Sequence, residues 1–252
     1  MTPKVYFTNF CTTGGETLPQ KLARLLLSAG MDQIDFKDKY VAIKIHFGEL
    51  GNMAYLRPGY ARVVVDLVKD LGGKPFLTDA NTMYVGSRKN ALDHLETAYL
   101  NGFTPYSTGC HVIIADGLKG TDDVAVPVRG GEYVDKAMIG RAVMDADIVI
   151  SLSHFKGHEE AGFGGALKNL GMAAAPTEAS GICTAPAVPA STRRSAWPAV
   201  PAPTSAPTTA PRLTKPPAKC TSTGSTAWAA DAAWMYAPWV PFITARKTPC
   251  GC

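Results

Sequence analysis

The sequence predicts an α/β fold, with a mostly parallel sheet, helices on both faces and a disordered tail rich in alanine, proline and threonine. Short apolar runs alternate with amphipathic runs of helical length as far as residue 172, as expected for strands joined by crossover helices. Several of these apolar runs are uniformly apolar, which is typical of strands buried on both faces of a parallel sheet. After residue 172 large aliphatic side chains almost disappear.

Six segments have the length and apolar pattern of strands. In chain order they are Lys4–Phe10, Tyr40–Ile45, Lys74–Thr78, His111–Ala115, Val124–Val128 as an edge strand, and Asp147–Leu152. Four segments carry apolar residues at helical spacing, and in chain order they are Pro19–Ala29, Gly59–Leu71, Asn90–Asn101 and Val134–Ala146. Glycine directly follows the second and third of these helices, which is a signal for a helix C-terminus.

The composition divides the chain into a head, residues 1–172, and a tail, residues 173–252. The tail holds 13 of the 19 prolines, 20 alanines and 12 threonines, but one leucine and two acidic residues. Such a segment cannot bury enough apolar surface to offset the entropy of ordering its chain, so we expect it to be disordered. The head is long enough for one domain with a sizeable core.

Charge and hydropathy exclude several classes of protein. Lys and Arg minus Asp and Glu is 18 − 19 = −1 in the head and 7 − 2 = +5 in the tail, so the head has no basic surface excess for nucleic acid. The N-terminus lacks a signal-peptide pattern, and no apolar run approaches the ~18 residues of a membrane span. We therefore expect a cytoplasmic protein that binds neither nucleic acid nor membrane.

The six cysteines do not form a metal-binding pattern. They lie at positions 11, 110, 183, 220, 250 and 252, and the chain contains no CxxC pair. Their spacing does not resemble that of a secreted disulfide framework either. We expect no cysteine metal site in this chain as written.

Polar residues cluster where three predicted strands end. Because ligands bind at the carboxyl ends of strands in open α/β sheets, these residues are predicted to share one site. The candidates for catalysis are His46, Glu49, Asp79, His154 and His158. The candidates for ligand binding are Asn52, Arg57, Asn81, Arg88, Lys156, Gly162, Gly164, Gly165, Lys168 and Asn169.

The glycine-rich segment from Gly162 to Asn169 is predicted to be a turn leading into a short helix. Backbone N–H groups at such a turn can hold an anion, although the segment is not a P-loop and is only a partial dinucleotide fingerprint. The alternative is a tight packing turn. His154 and His158 have a spacing that suits a metal on a helix, but the intervening Gly157 favours a loop. Asp93, His94 and Glu96 are interpreted as a solvated helix face.

Two blocks, AIKIHFGELGNMAYLRPGYARVVVDLVKDLGGKPFLTDANTMYVGSRKNALDHLETAYLNGF and SHFKGHEEAGFGGALKNLGM, resemble the family called domain of unknown function 362. The resemblance covers roughly residues 4–172 and implies an α/β protein. Many members continue into a ferredoxin-type module with two [4Fe–4S] clusters and are described as iron–sulfur or electron-transfer proteins. Family members continue with a Gly-Cys pair and two cysteine runs, whereas this sequence departs from them at the change in composition.

A shifted reading frame restores that pattern. Back-translated with degenerate codons and read one base earlier, Met172–Ala173 permits Met-Gly-Cys. The codons from Ser195 and from Thr226 each permit a C-x₂-C-x₂-C-x₃-C-P run, the pattern of bacterial two-cluster ferredoxins. We therefore expect that one base was lost near codon 172. On this hypothesis the intact parent holds two [4Fe–4S] clusters and this chain holds none.

The residues and the resemblance together predict an iron–sulfur electron-transfer protein or oxidoreductase in the intact form. Its partners would be a small anionic ligand and a redox protein. Lys156, Lys168 and Arg57 would contact the anion, and the histidines at 46, 154 and 158 would transfer protons or bind a metal. Two alternatives stay open: a non-redox enzyme or binding protein for an anionic metabolite, and a module that docks a redox partner.

Overall fold

The computed structural model describes residues 4–12, 14–128, 135–158 and 162–171. The predicted tail, residues 173–252, lies outside the described residues. The strands are β1 (Tyr40–Ile45), β2 (Lys74–Asp79), β3 (Val112–Ile114), β4 (Asp123–Pro127), β5 (Lys136–Gly140), β6 (Ile148–Leu152), β7 (Lys156–His158) and β8 (Gly162–Gly164). The helices are α1 (Leu18–Ser28), α2 (Pro58–Asp70), α3 (Ala91–Leu100), α4 (Pro105–Thr108), α5 (Arg141–Met144) and α6 (Ala166–Gly171).

Local sequence explains where the main helices begin. Thr17 caps α1 through a capping box with Gln20, and a proline occupies its first turn. Asn90 caps α3 by accepting hydrogen bonds from the backbone N–H groups of Leu92 and Asp93. Proline at the start of α2 is compatible with a helix because the first backbone N–H groups have no partner within the helix.

The central sheet is parallel and has the strand order β3-β2-β1-β6. One face of β1 carries Val41, Ile43 and Ile45, which are fully buried in the main core together with residues of α1, α2 and α3. On the other face Ala42 packs with Phe76 of β2 and with residues of and after α5. The structure therefore confirms an α/β class with helical segments on both faces.

The strand order creates a topological switch point beside β1. The chain runs from β1 to β2 and β3 on one side and later returns to place β6 on the other side of β1. Described residues that follow β1 and β6 line one crevice at the carboxyl ends of the strands.

Two predicted elements differ from the structure, and a third forms its strand outside the central sheet. Residues 4–10 form no ladder, and Asn9 instead accepts a hydrogen bond of 2.7 Å from Lys21 of α1. Val134–Ala146 is wrong as a helix, because its described residues form β5 and the four-residue α5, separated at Gly140. The predicted edge strand at 124–128 is β4, but it pairs antiparallel with β5 in a separate two-stranded sheet.

The glycine-rich segment also differs in part. The short helix after it is α6, as predicted, but Gly162–Gly164 is a strand rather than a turn. It pairs antiparallel with Lys156–His158, so that Lys156 lies opposite Gly164 and His158 lies opposite Gly162. In the resulting β7–β8 hairpin Lys156 and His158 point to the same face, because successive side chains alternate along a strand.

Candidate functional site

A cavity of about 360 Å³ opens at the carboxyl ends of the parallel strands. The loop after β1, the loop after β2 and the segment from β6 through α6 form its walls. Its lining residues are His46, Gly48, Glu49, Asn52, Ala54, Tyr55, Ala80, Asn81, Thr82, Tyr84, Arg88, Ser153, His154, Lys156, His158, Gly164, Gly165, Lys168 and Asn169. The size falls within the range typical of small-molecule sites.

Most of the predicted site residues line this cavity, and three do not. Asp79 is fully buried and lies beneath it, where it contacts Arg88 and Lys44. Arg57 is exposed at the start of α2, and Gly162 is exposed on the β7–β8 hairpin. Neither residue belongs to the lining. The chemical roles given to the lining residues stay predictions.

The floor of the cavity contains a buried ion network. Lys44 of β1 has no solvent exposure, and its Nζ lies 2.6 Å from Asp79 Oδ1. Arg88 Nη1 lies 3.3 Å from Asp79 Oδ2, and Arg88 also binds Glu49, with 2.9 Å between Arg88 Nε and Glu49 Oε1. The network alternates in charge, which is how buried ionic groups offset each other's desolvation.

In the Lys44–Asp79 pair, burial and the charge of the partner shift the pKa of each group in opposite directions. Burial lowers the pKa of the Lys44 ammonium, although the charge of Asp79 opposes that shift. For Asp79, burial alone would raise the pKa, but Lys44, His94 and Arg88 together lower it below its ordinary value. Asp79 is therefore ionised near neutral pH, with Lys44 and Arg88 as its partners.

Asn169 connects the floor to α6. Its Oδ1 accepts a hydrogen bond of 3.1 Å from Lys44 Nζ, and its Nδ2 donates to the Lys44 carbonyl at 3.0 Å. Nδ2 also lies 3.0 Å from Ser151 Oγ and 3.1 Å from Ser153 Oγ. These bonds join α6 to β1 and β6 and hold the cavity wall against the sheet.

A second polar group extends the floor toward β3. Asp116 is buried and accepts hydrogen bonds from the backbone and side-chain amides of Asn81 at 3.0–3.1 Å. Burial raises the pKa of the Asp116 carboxyl. Asn81 Oδ1 lies 3.3 Å from His94 Nδ1, while His94 Nε2 lies 3.6 Å from Asp79 Oδ2, beyond hydrogen-bond distance. Polar side chains therefore extend beneath all four strand ends.

The interpretation of His94 as part of a solvated face is wrong. Asp93 and Glu96 are exposed as predicted, but His94 is fully buried and packs edge-on against the ring of Phe47. The reason is helical geometry: His94 and Ala98 are four residues apart and face the core together.

Sequence reasoning missed several residues of this site. Tyr55, Tyr84 and Thr82 line the cavity, and Lys44 and Ser151 support it from below. The signal for Lys44 was present in YVAIKI, because a lysine in a strand of buried type needs a buried anion. An aspartate at the end of the neighbouring strand supplies that anion. Tyr55 carried no comparable signal, whereas Tyr84 follows the end of β2, where polar residues cluster in the sequence.

Two lysines converge on Gly164. A Cβ atom placed on Gly164 would lie 3.5 Å from Lys168 Cδ and 3.8 Å from Lys156 Cγ. Both lysines line the cavity together with Arg88, and Glu49 is the acidic residue among the lining residues. Arg88 and Glu49 pair with each other, and Lys156 and Lys168 are the other lysine and arginine side chains among the described lining residues.

The three cavity histidines differ in environment. Burial lowers the pKa of His46 to about 4, and Gly48 N–H donates a hydrogen bond of 2.9 Å to His46 Nδ1. Burial and the charge of Lys156 also lower the pKa of His154. His158 lies on β7, so its spacing of four residues from His154 is not a helical spacing.

No group of three or more His, Cys, Asp or Glu side chains suited to a metal occurs within the described ranges.

Comparison with known proteins identifies the family. A family model described as a domain of unknown function (DUF362) matches residues 41–236, which is more than half of the chain. The chain belongs to the DUF362 family. The DUF362 match begins at β1 and includes every strand and loop that forms the cavity, and it continues past the change in composition at residue 172.

A curated relative is the thylakoid-associated protein sll1697 of Synechocystis sp. (strain ATCC 27184 / PCC 6803 / Kazusa). It is 29% identical over 126 residues, and the match covers 48% of this DUF362 chain and 33% of that protein. The chain therefore matches about a third of the relative's length. No solved structure gives a significant match. None of the helices that the structure describes has the length and apolar character needed to cross a membrane.

Proposed function

We propose that the α/β domain binds a small anionic molecule, a phosphorylated or carboxylated metabolite, in the cavity at the strand ends. The observation that carries this proposal is the convergence of Lys156 and Lys168 on Gly164 inside the cavity. Lys168 is half-buried, which strengthens its attraction for an anion because the local dielectric constant is lower, whereas Lys156 is exposed.

The neutral groups around the lysines are compatible with an oxygen-rich ligand. Asn52, Thr82 and His158 line the same cavity and can donate hydrogen bonds. Tyr55 and Tyr84 add apolar ring surface beside them. A few polar groups on a partly apolar wall are the usual composition of a small-molecule site.

Anion titration of the full chain tests the proposal. Inorganic phosphate and malonate are added separately and followed by calorimetry, first to the unaltered protein and then to Lys156→Met and Lys168→Met. Each substitution should weaken binding about 10-fold to 100-fold, because a charge-assisted hydrogen bond contributes roughly 1.5–3 kcal/mol.

Lys37→Met is the matched control. Lys37 is exposed and precedes β1, at the opposite end of the strand from the cavity. The Lys37→Met variant should bind phosphate and malonate with the same affinity as the unaltered chain. Absence of binding by the unaltered chain, or equal weakening in all three variants, would overturn the proposal.

A second proposal concerns the intact parent of this chain. We propose that there the cavity is linked to two [4Fe–4S] clusters, which makes the parent an electron-transfer protein or oxidoreductase. The support is the pair of ferredoxin-type cysteine runs that the shifted reading frame permits after residue 172. The non-redox enzyme or binding protein is the alternative.

Sequencing the gene across codons 170–175 tests the shifted frame, and an intact frame with no lost base would refute it. If the base is missing, restoring it should give a brown protein that absorbs at ~400 nm after cluster reconstitution. A change in cluster reduction potential on adding phosphate or malonate would support the redox function. An unchanged potential, with anion binding intact, would favour the non-redox alternative.

A further inference from the structure

His46 lines the cavity, and a hydrogen bond from the backbone orients its ring. The N–H of Gly48 donates a hydrogen bond of 2.9 Å to His46 Nδ1. A nitrogen that accepts a hydrogen bond carries no proton, so a neutral ring in this geometry has its proton on Nε2. The bond to Gly48 leaves Nε2 as the ring nitrogen available to the cavity.

The loop that supplies this N–H tolerates little change. Gly48 has a φ of +87°, and a Cβ atom there would lie 2.7 Å from Tyr55 Cδ1 and 2.9 Å from Asn101 Nδ2. Asn101 Nδ2 donates to the carbonyl of Phe47 at 2.9 Å, and the Tyr55 hydroxyl donates to the carbonyl of Asn101 at 3.2 Å. The position requires glycine both for its conformation and for its space, so the Gly48 N–H stays directed at His46.

The surroundings also disfavour an imidazolium at this position. Burial has the largest effect and lowers the pKa of His46 to about 4, with further contributions from the charges of Arg88, Lys156 and Lys44. Asp79 opposes the shift. A protonated ring would also direct the Nδ1 proton at the Gly48 N–H, and two donors would then face each other.

We propose that His46 is a neutral hydrogen-bond donor that recognises an oxygen acceptor of the ligand through Nε2–H. The ligand class is thereby narrowed to anions that present an oxygen acceptor to the wall formed by the loop after β1. His46 is then a recognition residue and not the general base of the site. This inference rests on the proposed anion-binding function.

Nitrogen NMR of the ligand-free full chain tests the state of the ring. Nε2 should carry the proton and Nδ1 should be unprotonated between pH 5.5 and 8, with His46→Gln used to assign the signals. An Nδ1–H tautomer or an imidazolium in this range would overturn the inference. This measurement needs no ligand, so its result is independent of the proposed function.

Sulfate binding tests recognition, because sulfate keeps its charge over this pH range. His46→Gln retains an amide N–H donor and should bind within about threefold of the unaltered chain. His46→Met lacks a donor and should bind about 10-fold more weakly, as expected for loss of one hydrogen bond to a charged ligand. Equal affinity of the two variants would overturn the inference.

The pH dependence of sulfate affinity shows whether the His46 ring acts as a neutral donor or as a cation. The ratio of sulfate affinities between the unaltered chain and His46→Gln should stay constant from pH 8 to 5.5. The other titratable or charged groups near the cavity are the same in both proteins, so their contributions cancel in this ratio; they are His154, His158, Glu49, Asp79, Lys44, Asp116, Arg88, Lys156 and Lys168. A ratio that rises as the pH falls through 6.5 would overturn the inference that His46 is a neutral donor. If no form binds sulfate, phosphate or malonate, the proposed function fails, and the recognition step fails with it.

Discussion

The two sides of strand β1 carry different kinds of residue. Val41, Ile43 and Ile45 face helices α1 and α2 and are fully buried in the apolar core. Lys44, from the same strand, is equally buried but belongs to the ion network beneath the cavity. Equal burial therefore has different chemical meaning along this strand: Ile43 and Ile45 exclude water around carbon, whereas on the other side, beyond the apolar contact of Ala42 with Phe76, Lys44 holds charge.

The comparison separates stability from function. Burying an aliphatic side chain stabilises the fold by roughly 1.5–3 kcal/mol. A buried ion pair contributes little net stability, because desolvation offsets most of the attraction, yet removing one partner is costly. The apolar side can therefore account for the stability of the domain. The polar side fixes Asn169, Arg88 and Glu49 at the cavity, where orientation matters more than stability.

The largest effect is expected from Asp79→Asn. The substitution keeps the shape of the side chain but removes the anion that Lys44 and Arg88 share. Removing one partner of a buried pair costs roughly 3–5 kcal/mol. Urea denaturation of the full chain should show a loss of this size in the free energy of unfolding.

Asp66→Asn is the matched control for that measurement. Asp66 pairs with Arg62 at 2.7 Å on the exposed surface of α2, and exposed i, i+4 pairs contribute roughly 0.2–0.5 kcal/mol. If Asp79→Asn costs no more than Asp66→Asn, the buried pair does not differ from a surface pair, and the comparison between the two sides of β1 breaks down.

The next effect is the response of the fold to acid. His46 titrates at about 4 in the folded protein against 6.5 as its ordinary value, so between these values the unfolded chain binds more protons. The stability due to neutral His46 is complete above pH 6.5 and is lost as the pH falls to about 4. A difference of about 2.5 pKa units corresponds to about 3 kcal/mol.

Comparison with His46→Gln isolates this effect, because the other titrating groups are shared. The free energy of unfolding of the unaltered chain should fall by about 3 kcal/mol more than that of the variant between pH 7 and pH 4. Parallel pH profiles for the two proteins would show that His46 is protonated as readily in the folded state as in the unfolded chain.

Sequence reasoning recovered the parallel sheet and much of the cavity because both follow from local patterns. Uniformly apolar strands identify a buried parallel sheet, and polar residues directly after such strands meet at one edge. That rule placed His46, Asn81 and Lys156 correctly among the cavity residues. The rule does not distinguish residues that line a cavity from residues that support it, and it does not identify Lys44, which lies within β1 beneath the cavity.

The errors arose where long-range pairing overrides local pattern. Residues 136–140 have enough apolar character for a helix, but pairing with β4 makes them a strand. Residues 4–10 have a strand pattern, but within the described structure they have no ladder partner. His94 is buried because α3 packs it against Phe47 and near Asp79, and these contacts connect segments that are distant in sequence.

The smallest effect is expected from a substitution on the apolar side of β1. Ile43 is fully buried and precedes Lys44 directly, but its side chain points to the opposite face. Ile43→Val removes one methylene group and should cost roughly 0.5–1.5 kcal/mol in urea denaturation. The affinity for phosphate should stay within twofold of the unaltered chain, because no cavity residue loses a contact. A large loss of affinity with this small loss of stability would mean that the packing of the apolar face sets the geometry of the cavity, and the two sides of β1 would then have to be treated as one coupled unit.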